Sequence, residues 1–463
     1  MVFSSKRLKY FGSAAEYGIS PLMGMRLFLA SQHDAAQARN AGTLQLWPAN
    51  GQYGLIRSDL AGAGGSETRF APEGCYARII QDMSTLTAEA AGLSVNMKAD
   101  IRSLTGVRGV AAVIIVIYHY GKFHLDHAND VWDIPHGYLP VDLFFMLSGF
   151  VIGYVHRDDF HPESSTNYRT FLVKRFARLY PAYIVISAFY VLKIALGLTG
   201  EETFARFDWL DAVGNLLLLT GWGLNIYPLI GVSWASSAEL GSYFAASALI
   251  KYTLEKDVRW WATCVALSLI GIYLISYSGQ GTSGPLDVVD RNSFFPLCRA
   301  IIGFTLGLAT LRFAAYLDRL SAITQDALVI AILVLMIALA VLTTEDLPIY
   351  LLFIPFIAIL SRDGRVAQAL FGNRLVYHLG LISYSIYLFH PLFLTFAERS
   401  SRHFGSTLTA YVLCTLVCFG TIWLLSYLSY RFVEMPGRQF VIRLLSPRAA
   451  AAATRPAQPT EMR

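Results

Sequence analysis

The chain is short of charge for its length. Of 463 residues only 15% are Asp, Glu, Lys or Arg, against 55% hydrophobic and 13% aromatic, with a mean hydropathy of +0.47. That is too little polar surface to cover a water-soluble fold, so the composition excludes an ordinary soluble domain and points to a membrane protein. Cysteine is scarce as well. Cys75, Cys264, Cys298, Cys414 and Cys418 make an odd set with no CxxC spacing, which excludes a disulfide framework and a thiolate-held metal; no metal is expected. There is no basic stripe either. The 37 Lys and Arg against 32 Asp and Glu leave a net charge of +5 spread along the chain, which argues against nucleic acid as a partner.

Residues 1–96 lack an apolar run long enough to span a bilayer and a compact signal-peptide core, and they carry a loose Ala-Gly-Gly-Ser stretch near Ala61 to Glu67. This segment reads as a poorly ordered extension, with Met97 as an alternative start of translation. From Ser446 to Arg463 an Ala, Pro and Arg tail reads as disordered. Between them, over 97–445, about ten apolar runs are long enough to cross a bilayer as helices. They lie near 103–121, 138–156, 179–199, 234–252, 259–277, 294–312, 326–343, 347–361, 376–397 and 406–430. A further run, Ala212 to Trp222, is too short and reads as a shallow or re-entrant piece. The fold expected is an all-α polytopic membrane bundle. Alternate loops are rich in Lys and Arg, as at Arg157 to Arg178, Lys251 to Arg259, Arg312 to Arg319, Arg362 to Arg374 and Arg431 to Arg443, whereas the others hold only Lys122, Arg206, Arg291, Arg399 and Arg402. The positive-inside rule then puts both termini in the cytoplasm.

An ionisable side chain within a span costs roughly 2.5 to 3.5 kcal/mol on insertion scales, so each one needs a reason. Arg108 and His119 are eleven residues apart, which brings them to within about 20° of one helix face and about 16 Å apart along the axis. They form one polar seam, unless Arg108 snorkels to the inner interface and His119 sits at the outer one. Asp142 in GYLPVDLFFMLSGF falls at the level of His119. A carboxylate there would raise the proton affinity of the imidazole and fix its tautomer, as a general base requires; the alternative is a helix N-cap. In VSWASSAELGSYF, Trp234 reads as an interfacial anchor, and Glu239 lies too deep to be accommodated without a cavity or a partner. ISYSIYLFHPLF puts Ser383, Tyr387 and His390 on one helix face, either a hydrogen-bonding seam or a substrate-binding wall. Arg175 and Arg178, one turn apart in KRFARLYP ahead of the third run, suit a phosphate clamp or a flank that touches anionic lipid.

Taken in order, Arg108-x10-His119, VDLFFMLSGF, KRFARLYP, SWASSAE, SYSIYLFHP and YRFVEMP resemble the membrane-bound acyltransferase 3 family over about residues 99–440. The resemblance implies ten core helices in a bacterial cytoplasmic membrane. It implies transfer of an acyl group, usually acetyl, from cytoplasmic acyl-CoA to a hydroxyl of a glycan or lipid-linked glycan outside, such as exopolysaccharide, lipopolysaccharide or lipo-oligosaccharide. His119 would be the catalytic base and Arg108 its polar partner, with Glu239 at a family motif position on the path or the acceptor pocket; the position of Asp142 and Glu239 inside their spans adds both to the candidate catalytic set. Arg175 and Arg178 would hold the CoA phosphates, while Trp234, Ser383, Tyr387 and His390 would line the path or the acceptor pocket. The sequence departs from the family at SWASSAEL, where Leu and a second acidic residue are more usual; this leaves the acceptor open. A transporter using Arg108, His119 and Glu239 as a pathway is the rival reading, although the two halves of the chain show no convincing internal repeat.

Overall fold

The computed structural model describes residues 44–49, 52–57, 100–124, 134–156, 168–197, 207–405 and 407–445. The chain divides into two units, Met1–Met97 with Thr454–Arg463, and Lys98–Ala453. In the first, β1 (Leu44–Ala49) pairs antiparallel with β2 (Gln52–Arg57), Leu44 opposite Arg57. Cys75, the alternative start at Met97 and the tail from Ser446 lie outside the described residues.

The regular elements described in the second unit are all helices: α1 (Arg102–His124), α2 (Pro140–His156), α3 (Tyr168–Ala195), α4 (Trp209–Leu216), α5 (Ser233–Ile250), α6 (Val258–Ser276), α7 (Phe295–Tyr316), α8 (Ala322–Leu342), α9 (Asp346–Leu360), α10 (Arg374–His403), α11 (Leu408–Ser429) and α12 (Met435–Leu445), with short π and 3-10 turns between some of them. Side chains at the starts take up free backbone N–H groups. Asp257 caps α6, Ser321 α8, Asn373 α10 and Thr407 α11.

A helix stands over each of the apolar runs, yet among the described residues six helical segments are long and apolar enough to cross a membrane, or seven if the bent pair Asp346–Leu360 and Arg365–Gly372 is one span. The difference has physical causes. Helices α2 and α9 are only 17 and 15 residues long, and α5 gives up apolarity by burying Ser233, Ser236, Ser237 and Ser242. Helix α3 also begins before the third apolar run, so Arg175 and Arg178 lie within the helix although they precede the run.

Helices α1 and α7 are central, with 61% of the apolar stretch of each buried, whereas α8 at 6% is peripheral. The central contacts are close because glycine permits it. A Cβ on Gly380 of α10 would lie 1.9 Å from the Thr105 carbonyl oxygen of α1, and one on Gly307 of α7 would lie 2.0 Å from the Met146 carbonyl oxygen of α2. The first contact brings Arg108 beside Ser383 and Tyr384, and the second sets α7 against Asp142.

The run at Ala212 to Trp222 is an irregular segment. After the eight residues of α4 the chain runs to Ile230 without further helix, and polar side chains replace the missing backbone bonds. Asp211 accepts from the Tyr227 N–H at 2.6 Å, Asn215 accepts from the Leu229 N–H at 2.8 Å, and Ser237 donates to the Leu218 carbonyl at 2.6 Å. Buried backbone without helix or strand partners needs its polar groups satisfied in this way.

Three connections meet at Asp346, which is fully buried. Its carboxylate accepts from His136 Nδ1 at 2.6 Å, from the Tyr138 hydroxyl at 2.7 Å and from the Leu286 N–H at 2.6 Å. His136 Nε2 lies 2.8 Å from the Thr343 carbonyl oxygen. Both ring nitrogens face acceptors, so both carry protons, and the hydrogen bond to Asp346 holds the His136 pKa above its ordinary value.

Candidate active site

Arg108, Arg175 and Arg178 converge on one cavity of about 400 Å³ between α1, α3, α10 and α12. Lys174 and Arg438 add two more cations, and the acidic lining residues are Asp100 and Glu434. Five basic groups against two carboxylates make a mouth suited to a polyanion. Two of the cations have unspent donors. The Nε atoms of Arg108 and Arg175 are buried without a hydrogen-bond partner, although Arg175 also donates through its terminal nitrogen to His156 Nε2 and lies over the Phe171 ring. A buried unsatisfied donor costs about 1–3 kcal/mol, a cost that a bound phosphate or carbonyl oxygen would remove.

From this mouth a narrower space of about 50 Å³ leads inward. It shares Arg108, Arg178, Ser383 and Tyr384 with the larger cavity and adds Glu239, Ser236 and Tyr387. Helix α5 delivers Glu239 here, and Tyr243 one turn later donates its hydroxyl to Glu239 Oε1 at 2.6 Å. Ser383 donates to its own helix at the Gly380 carbonyl, 2.9 Å away. The two tyrosines of the wall tie helices together: Tyr384 donates to the Leu179 carbonyl and Tyr387 to the Val232 carbonyl, each at 3.0 Å.

His119 and His390 lie beyond this lining and face each other. Their ring centroids are 4.9 Å apart, and the Tyr387 ring, which does line the space, is 5.7 Å from His390. His119 Nδ1 is 2.9 Å from the carbonyl oxygen of Ile115 one turn back. A carbonyl can only accept, so Nδ1 carries a proton and, in the neutral imidazole, the lone pair is on Nε2.

Asp142 does not join this group in the way the sequence predicts. Both of its oxygens are taken by Arg299 of α7, Nε to Oδ1 at 2.7 Å and a terminal nitrogen to Oδ2 at 2.6 Å, with both side chains fully buried. The carboxylate is spent on a guanidinium, and the proton on His119 is directed by a carbonyl instead. Trp234 likewise serves this pair: Arg299 stands 5.4 Å above its ring, and Phe145 meets its edge at 6.3 Å.

Arg299, Glu434 and Arg438 are the site residues that the sequence reading misses. Arg299 carries a signal, a cation inside the sixth apolar run. Glu434 stands in YRFVEMP, and its carboxylate accepts from Ser385. Nothing local marks Arg438 as more than a positive flank.

The family model described as the acyltransferase domain, Acyl_transf_3, matches residues 101–427. This chain belongs to the acyltransferase 3 family. Among curated relatives, it is 24% identical over 364 residues to the peptidoglycan O-acetyltransferase OatA of Listeria monocytogenes, covering 73% of this chain and 56% of that protein. It is 40% identical over 100 residues to protein 2 in the picA locus of Rhizobium radiobacter, covering 20% of this chain and 48% of that protein. The chain thus spans about half the length of these curated relatives. No solved structure matches it.

Proposed function

We propose that this acyltransferase is a multi-pass O-acyltransferase, and by its relatives an O-acetyltransferase, of a bacterial cytoplasmic membrane. It takes the acyl group from cytoplasmic acyl-CoA and passes it to a hydroxyl of an extracytoplasmic glycan, with both of its own termini on the cytoplasmic side. The observation that carries this reading is the basic mouth at Arg108, Arg175 and Arg178, continuous through shared residues with a narrow space that ends at Tyr387 beside the His119–His390 pair. The Arg-rich mouth suits the phosphates of CoA, and the narrowness of the space beyond it favours a slender arm such as pantetheine over a bulky group. The named activity of OatA supports a glycan acceptor.

In this reading a thioester needs no further activation, only a base and a place for the developing charge. His119 Nε2 removes the proton of the acceptor hydroxyl as the oxygen attacks the acyl carbon. When the C–S bond breaks, the imidazolium returns that proton to the departing thiolate. Glu239, held by Tyr243, compensates the charge of Arg108 in the narrow space.

The test is transfer of labelled acetyl from acetyl-CoA by the protein reconstituted in vesicles, with His119→Ala as the variant. Loss of a general base lowers turnover by about 10²–10⁴-fold. Turnover by His119→Ala at the wild-type rate would remove the assigned base, and solute flux with no acyl transfer would replace the enzyme with a transporter.

A further inference from the structure

The sequence and the family reading leave His390 as a lining residue, but the structure sets it just past the wall, against the Tyr387 ring that lines the narrow space. It is fully buried, and neither of its ring nitrogens makes a hydrogen bond of ordinary geometry. Its neighbours on the same face are spent: Ser383 donates to Gly380 and Tyr387 to Val232. The backbone of His390 is anchored as well. Its carbonyl accepts from the Tyr120 hydroxyl at 3.3 Å, and the Tyr120 carbonyl accepts from the Tyr411 hydroxyl at 2.6 Å. The helix continues through Pro391 directly after it. A fixed backbone therefore presents an imidazole that faces the Ile386 and Tyr387 carbonyls of its own helix without a hydrogen bond of ordinary geometry to either, so its N–H can turn to a better acceptor.

The partner ring supplies the direction. His119 is locked by Ile115 with its lone pair on Nε2, which makes it the proton acceptor of the pair. His390 has no such lock and stands 4.9 Å away, ring to ring. The rings are in contact at this distance, so a reacting carbonyl that reaches their shared edge from the Tyr387 side meets a base on one ring and a weakly engaged N–H on the other. We propose that His390 is a catalytic residue that donates this N–H to the carbonyl oxygen of the acyl group, so that the oxygen's negative charge in the tetrahedral intermediate is held by His390 while His119 holds the proton from the acceptor hydroxyl.

The step balances without any further reagent. The hydroxyl oxygen forms a bond to the acyl carbon, and its proton moves to His119 Nε2. The π electrons of the carbonyl move onto oxygen, which accepts the His390 N–H without taking its proton. The pair then re-forms the carbonyl, the C–S bond breaks, and the thiolate recovers the proton from His119. His390 ends each turnover as it began.

This inference rests on the acyltransferase reading above, and the experiment separates the two. Steady-state transfer of labelled acetyl from acetyl-CoA is measured for the vesicle-reconstituted full chain, His390→Gln and His390→Met. Met fills the volume of the ring without a donor, whereas the Gln amide restores one. Removal of one oxyanion donor lowers kcat by about 10²–10³-fold, so His390→Met should fall by that factor with KM for acetyl-CoA within about threefold. His390→Gln should recover at least tenfold of the loss, and the limb of the pH–rate profile set by His119 should be retained in both variants. His390→Met within threefold of wild-type kcat overturns the inference, and so does His390→Gln as slow as His390→Met. Absence of transfer by the wild-type protein itself would instead overturn the functional reading beneath it.

Discussion

Taking the charge from Asp142 while leaving Arg299 in place should destabilise the bundle by about 3–5 kcal/mol, the usual cost of stranding one member of a buried ion pair. The geometry puts this pair at the strong end. Two hydrogen bonds of 2.7 and 2.6 Å join fully buried side chains, and the remaining terminal nitrogen of Arg299 already lacks a hydrogen-bond partner. Asp142→Asn keeps the volume and loses the charge, so the guanidinium of Arg299 loses its hydrogen-bonded counter-charge beside the Trp234 ring. At roughly 2 °C per kcal/mol for a chain of this size, the apparent Tm in detergent should fall by about 6–10 °C at a fixed scan rate. The double variant Asp142→Leu with Arg299→Met replaces both charges by apolar groups and should regain most of that loss. Asp142→Asn melting within about 2 °C of wild type, or a double variant as unstable as Asp142→Asn, would refute the reasoning. A double variant that melts normally but has lost the pH–rate limb of His119 would return Asp142 to the chemistry.

Arg178→Ala and Arg175→Ala should each raise KM for acetyl-CoA by about 10–100-fold, the worth of a charge-assisted hydrogen bond, while lowering kcat less; unchanged acetyl-CoA binding in both would reduce the pair to a topology signal. The His136 cluster gives a pH dependence whose sign is fixed. Its folded pKa is raised, so the stabilisation is complete below the unfolded value of about 6.5 and is lost as pH rises through the folded one. Melting from pH 6 to 9 should show this loss in the wild type and a flatter profile in His136→Gln, and parallel profiles would refute it.

Each apolar run located a helix because apolarity is legible segment by segment, but the number of crossings was not, since six or seven of the described segments are long and apolar enough to span a bilayer. The same logic made Arg108, His119 and Glu239 legible, since each pays the insertion cost wherever it sits. Arg299 has that signal too, but it lies five residues inside its run, where a snorkelling side chain is the ordinary explanation. The convergence of Arg438 and Glu434 on the basic mouth depends on α12 returning to α3, which no local pattern records.

By itself the sequence determined the class of the molecule: a scarcity of charge that forces a helical membrane bundle, and the few ionisable groups within it that demand a reason. The tertiary structure decided the pairing of those groups. Asp142 and Arg299 are 157 residues apart in the chain and His119 and His390 are 271 apart, and whether a buried charge meets a counter-charge or a reacting atom depends on which helices the glycine contacts bring together. A single helix periodicity fixes a side chain's face and depth, but its partner stands on another helix.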